Sequence, residues 1–158
     1  MILICAGVAF AQTTATASLP TLSVGGEVGH PLVLHESDLA AMPRQSHKVT
    51  DEKGTTATYE GVPVFEVLQR AGAPLGKALR GKNLALYVLV TASDGYRAVF
   101  ALPELDPAFT DRVVLLADRR DGHALDTHDG PLRIVVPGEK RNARWVHGAI
   151  SLSVMRAN

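Results

Sequence analysis

The chain has 158 residues, 16 basic and 16 acidic, so its formal net charge is zero, and 46% of it is hydrophobic. That length and apolar content suit one domain with its own core. Neutrality excludes the basic excess that a general nucleic-acid or membrane-surface binder needs.

Residues 1–11, MILICAGVAFA, form an apolar run ending in Ala9-Phe10-Ala11. The small-x-small ending is the pattern that signal peptidase reads, and the run is too short to span a bilayer. The expectation is a signal peptide cleaved after Ala11, and hence a periplasmic or secreted protein. Cys5, the single cysteine, lies inside it, so the mature chain would have neither a disulfide nor a thiolate for a metal. Residues 12–20 read as a Thr/Ala/Ser linker, and residues 21–158 as one domain.

Two short strands are predicted around Gly25-Gly26 and Gly29. The segment ESDLAAMP reads as a short helix with Ser37 as N-cap and Pro43 as its stop. A strand over SHKVT precedes the exposed loop or hairpin DEKGTTATYEG. The clearest helix is VPVFEVLQRAG, with Pro63 at its start, Val64, Val67, Leu68 and Ala71 on one face and Gly72 at its end. A loop over AGAPLGKALRGK leads to LALYVLVTA, a near-continuous apolar run that predicts a strand buried on both faces. Ser93-Asp94-Gly95 is a turn signal before the returning strand YRAVFAL. PELDPAF reads as a short helix or turn and RVVLLA as another buried strand. DRRDGHALDTHDG carries the turn signals Asp121-Gly122 and Asp129-Gly130. PLRIVVP and AISLSVM close the chain as strands. Val88, Val90, Leu115, Ile134 and Val136 are the expected core. Strands dominate, helices are few and short, and no regular βαβ alternation appears, which predicts an α+β, β-rich fold with mixed sheets.

Charge is unevenly spread. Arg133, Lys140, Arg141 and Arg144 stand against Glu139 alone in the stretch ending at His147, beside Trp145, the one tryptophan. Pro137-Gly138 releases the chain from a core strand into a loop whose N–H groups are free. With basic side chains there, that loop makes an anion seat. Like charges so close would repel, and a bound phosphate or carboxylate would offset that repulsion. The alternative reading of the same residues is a solvated basic loop with a core tryptophan. HALDTHDG holds His123, Asp126, His128 and Asp129, which are zinc-ligand types, but their spacing fits no defined zinc motif. A solvated polar loop is the reading there, and no metal ligand is assigned. No Ser/His/Asp triad and no Gly-rich phosphate loop stands out.

From Leu22 to Val154 the order of segments resembles the molybdopterin-binding domain of the sulfite oxidase family. The resemblance rests on VGGEVGHPLVLHESDLAAMP, YEGVPVFEVLQRAG, TASDGYRAVFALPEL, LLADRRDGHAL and, most specifically, GPLRIVVPGEKRNARWV. It implies the family's β-rich, mixed-sheet fold in a stand-alone form, and molybdopterin as cofactor. Gly138, Lys140, Arg141, Arg144 and Trp145 are then the candidate contacts to the pterin and its phosphate. The family's catalytic members place a molybdenum-ligating cysteine between the first short helix and the GVPVFEVL helix. Here that interval, Arg44 to Glu60, has none, so no thiolate-bound molybdenum is expected. The leading reading is an exported molybdopterin-dependent oxidoreductase-like domain that binds a pterin or similar anion through its basic loop, with a periplasmic redox or membrane protein as partner. The alternative is a non-catalytic periplasmic ligand- or protein-binding module that keeps the fold.

Overall fold

The computed structural model describes residues 21–158; the expected leader and linker, with Cys5, lie outside the described residues. Ten strands build two sheets. In the first, β1 (Leu22–Gly26), β2 (Leu32–Leu34), β5 (Leu86–Ala92), β6 (Arg97–Ala101) and β10 (Ala149–Arg156) lie in the order β2-β1-β10-β5-β6. Strands β1 and β10 run parallel and every other pair is antiparallel, so this sheet is mixed. In the second, β3 (Gln45–Thr50), β4 (Thr56–Pro63), β7 (Leu115–Arg120) and β8 (His123–Ala124) follow one another, and β9 (Arg133–Val135) also pairs with β7. The two α-helices are α1 (Glu36–Ala40) and α2 (Val64–Arg70). This is the β-rich α+β architecture with mixed pairing that the pattern predicts.

One hydrophobic cluster joins the sheets. Val88, Val90, Leu115, Ile134 and Val136 are all buried in it, as are Phe100 and Leu152. Helix α2 turns Val64, Val67 and Leu68 into the cluster, and its first N–H donates to the Val114 carbonyl ahead of β7. Within the second sheet β4 runs close to β7 where their register shifts: a Cβ on Gly61 would lie 2.0 Å from the Leu116 carbonyl oxygen. Only glycine lets β4 approach β7 this tightly.

Four local expectations are corrected. Strand β5 is not buried on both faces: Leu86, Val88, Val90 and Ala92 are buried, whereas Tyr87, Leu89 and Thr91 are half-buried. The outer face of this sheet carries apolar side chains without being covered, and Val33, Val99 and Met155 stay exposed on it. Leu84 and Ala85 belong to a 3-10 turn before β5. Strand β7 begins at Leu115 rather than Arg112 and continues through Arg120. Its extension follows from Asp121-Gly122, both at positive φ, which close a tight hairpin to β8. Ser37 is inside α1, and His35 is the N-cap, its N–H donating to Asp38 Oδ2 at 2.8 Å. The Asp38 carboxylate, three residues on, thus accepts the N–H of the N-cap residue, the return half of a capping box.

Candidate functional site

Strand β9 delivers the basic loop. After Val136 the chain turns through Pro137 and Gly138, whose φ of +80° favours glycine, and the Glu139 N–H returns to the Val136 carbonyl. A 3-10 turn over Asn142–Arg144 brings the chain back to Trp145. The loop is closed at its base by hydrogen bonds from Ile134 N–H to the Val146 carbonyl and from Ala149 N–H to the Leu132 carbonyl. Tyr96 pins its far side, with its hydroxyl donating to the Ala143 carbonyl at 2.6 Å. Asp94 serves that hairpin as a turn cap, accepting the Tyr96 N–H.

The three basic side chains of this loop differ in what holds them. Arg144 is committed to the protein: it donates to Glu104 Oε1 at 2.5 Å and to Glu139, and lies 4.5 Å over the Phe100 ring. Burial would lower its pKa, but the bonds to Glu139 and Glu104 outweigh that and raise it. Arg141 is largely exposed and only 4.0 Å from Glu52, at the tip of the β3–β4 hairpin. Lys140 is exposed. Thus the expected mutual repulsion of three cations is not what the loop contains, because Arg144 is neutralised by two carboxylates.

Trp145 is 2% exposed and is a core residue as well as a wall of the site. Its ring meets Tyr59 edge-on, with centroids 6.0 Å apart. Arg133, only 8% exposed, sits over both rings at 5.6–5.7 Å. A charge placed there needs a partner, and Asp129 Oδ2 accepts from it at 2.6 Å. Sequence reading assigned Arg133 no role, because one arginine inside an apolar strand has no distinguishing spacing. Its signal was the mismatch itself: a charge where the pattern demands a core residue.

Asp129 collects further partners. Its Oδ1 lies 2.7 Å from His147 Nδ1 and 3.2 Å from His128 Nδ1. Burial alone would raise its pKa, but the charge of Arg133 and the bonds to His128 and His147 hold it below the usual carboxylate value. Of the expected polar loop, Asp126 caps the backbone N–H groups of His128 and Asp129, and His123 is exposed on β8. His147 could not be joined to this group from local spacing, since it follows the whole basic loop.

Among the described residues, three buried side-chain polar atoms have no hydrogen-bond partner: Arg133 Nε, Asn142 Oδ1 and Trp145 Nε1. All three belong to this one region. A cavity of about 270 Å³ opens there, lined by Asp94, Tyr96, Asn142, Ala143, Trp145 and His147. A shallower one of about 250 Å³, lined by Glu139, Lys140, Arg141, Ala143 and Arg144, shares Ala143 with it. A larger hollow of about 430 Å³ between α1, β7 and the start of β10 is lined mainly by apolar groups such as Leu39, Leu125 and Ile150, and none of the three unpartnered atoms lies on it.

Comparison with known proteins bears on the family and the fold. Residues 11–156 match the family described as oxidoreductase molybdopterin binding domain. An uncharacterized oxidoreductase of Bacillus subtilis, YuiH, is 30% identical over 135 residues, covering 80% of this chain and 62% of its own. The crystal structure of the sulfane dehydrogenase SoxCD from Paracoccus pantotrophus superposes with a TM-score of 0.66 at 23% identity, over 84% of this chain and 37% of that one. At that identity the likeness is one of fold. The chain therefore spans under two thirds of each of these two proteins.

Proposed function

The chain belongs to the oxidoreductase molybdopterin-binding domain family, and on that premise we propose that it holds a pterin, or a similar flat anionic ligand, in the cleft at Trp145. The observation that carries this reading is that two of the residues lining this cleft, Asn142 and Trp145, each carry an unpartnered buried polar atom, and that Arg133, which lies over the Trp145 ring, carries a third. Native proteins leave few such atoms, because each costs about 1–3 kcal/mol. The rim of a pterin offers both acceptors and donors, which suits the donor Trp145 Nε1 and the acceptor Asn142 Oδ1 of the cleft lining. The cavity, about 270 Å³, is just under the ~300–1,000 Å³ usual for small-ligand sites. It accommodates a ring system, and the rest of the ligand extends over the adjoining cavity to Lys140 and Arg141. Those two cations bind its phosphate, Gly138 supplies the turn that exposes them, and Arg144 positions the loop between its two carboxylates.

When bound, a molybdenum cofactor supplies two-electron redox chemistry at its metal. From Gln12 onward this chain offers that metal no cysteine, so the reading assigns pterin binding without thiolate ligation. The interval in question forms the β3–β4 hairpin, whose Tyr59 and Glu52 border the site. Export after Ala11, and a redox or membrane protein as partner, belong to the same proposal. Among the described residues no helix is long and apolar enough to cross a membrane.

The test is calorimetric titration with a phosphorylated pterin, for the wild type and Trp145→Phe. Losing the indole N–H should weaken binding by about 0.5–1.5 kcal/mol; the smaller ring also leaves a gap in the core, so unliganded stability is measured alongside. Equal affinities would remove Trp145 Nε1 from the site. Protein purified from a host competent in molybdenum-cofactor synthesis should yield extractable pterin by mass spectrometry. Absence of pterin there, with no binding in the titration, favours the non-catalytic module. Stoichiometric molybdenum with turnover would overturn the assignment of binding without a thiolate. N-terminal sequencing of the exported form should begin at Gln12.

A further inference from the structure

We propose that His128, Asp129 and His147 form a binding site for a divalent transition metal of the Zn²⁺ class. Their ligand atoms all lie within 4.8 Å of one another, and they are the only group of three or more such side chains among the described residues. The proposal does not depend on the pterin reading, because it uses different atoms.

The geometry fits tetrahedral zinc. Bonds of ~2.0–2.1 Å at tetrahedral angles put neighbouring ligand atoms about 3.3–3.4 Å apart. Here Asp129 Oδ1 stands 2.7 Å from His147 Nδ1 and 3.2 Å from His128 Nδ1, so a small expansion admits the ion. The metal replaces the proton that each imidazole now shares with the carboxylate. Two imidazoles and a carboxylate are a zinc-type donor set that leaves one position open to water or an exogenous ligand.

The surroundings hold these groups in place. Asp126 Oδ1 accepts the N–H groups of both His128 and Asp129, at 2.9 and 2.8 Å, which fixes that turn. The Gly148 N–H donates to the Asp129 carbonyl and the Ser93 N–H to the Gly148 carbonyl, so the segment carrying His147 is tied to the segment carrying Asp129. Arg133 occupies the other carboxylate oxygen, Oδ2, in the outer position that orients a metal-ligating carboxylate. The two rings are 5.1 Å apart at 71° to each other. His128 and His147 are 83% and 42% exposed, so an ion reaches them directly from solvent. His147 also lines the cleft with Trp145, which places the ion at the rim of that cleft.

The test uses the chelator-stripped chain titrated with Zn²⁺, and with Co²⁺ as a coloured substitute. One ion per chain is expected, with the intense visible bands of tetrahedral cobalt. His128→Ala, at an exposed position, and His147→Ala, at a half-buried one, should each weaken binding at least tenfold without changing the far-ultraviolet circular dichroism spectrum. His123→Ala should bind as the wild type does. Retained affinity in both His128→Ala and His147→Ala, weak octahedral cobalt bands only, or no stoichiometric binding would each overturn the site. Binding lost only in Cys5→Ser would overturn it as well and move the ion to the leader.

Discussion

Arg133 and Arg144 leave the same short piece of chain, one at the start of β9 and one at the end of the loop that follows it, yet their regions differ in kind. Arg144 has two carboxylates and an aromatic ring, and its donors are occupied by the protein. Arg133 has one carboxylate, two aromatic rings within cation–π range, and a buried Nε with no partner. A charge neutralised within the fold fixes a shape. A charge with an unused buried donor is where, on the proposed reading, a ligand supplies the missing acceptor. Arg144 is held by the protein's own carboxylates, whereas on the proposed reading Arg133 keeps a donor for the ligand.

The largest test of that contrast is Arg133→Ala. It strips the buried Asp129 of its counter-charge, and breaking a buried pair from one side costs about 3–5 kcal/mol. Urea denaturation should show that loss, and a change below 1 kcal/mol would reduce Arg133 to the status of a surface residue. Next is Lys140→Ala, which should weaken binding of a phosphorylated pterin by about 1.5–3 kcal/mol while leaving stability within about 0.5 kcal/mol. Calorimetry at low and high salt measures the first, and equal affinities would return the loop to a merely solvated surface.

Arg144→Ala should do the opposite: stability falls by about 1–2 kcal/mol, from a partly exposed ion-pair network and the contact with Phe100. Thermal unfolding of the two proteins without ligand decides this, and an increase in stability would restore the picture of three repelling cations. The smallest effect belongs to a third arginine, Arg156, which grips Glu27 with both sides of its guanidinium on an exposed edge. The hydrogen bond to Arg156 lowers the Glu27 pKa from 4.5. Its contribution is therefore present above 4.5 and lost as pH falls through the lower folded-state value. Glu27→Gln should lower the melting temperature slightly near neutrality, and the difference should shrink as pH falls below 4.5; a pH-independent difference would exclude the ion pair as its cause.

Much of the fold was legible in the residues. Near-continuous apolar runs and turn pairs such as Asp94-Gly95 marked the strands, though not their one-sided burial, Pro63 and Gly72 bracketed α2, and Val88, Leu115 and Ile134 announced a core. These follow from local rules: side-chain direction alternates along a strand, and turns need particular backbone angles. The basic loop and Trp145 were legible too, as a charge cluster after a core strand. What each of those side chains touches was not. Arg144 meets Glu104 from another strand system, and Arg133 meets Tyr59 from across the second sheet. Asp129 meets His147 only because β9 and the segment before β10 run side by side.

Sequence alone determined the class of fold, the strand inventory and the place where positive charge gathers, because these depend on neighbours along the chain. Tertiary structure decided which charges are already neutralised, which polar atoms are buried without partners and which imidazoles share a carboxylate. Electrostatics and hydrogen bonding act through space over a few ångströms, and the residues that satisfy or leave unsatisfied a buried group come from elements that only folding brings together.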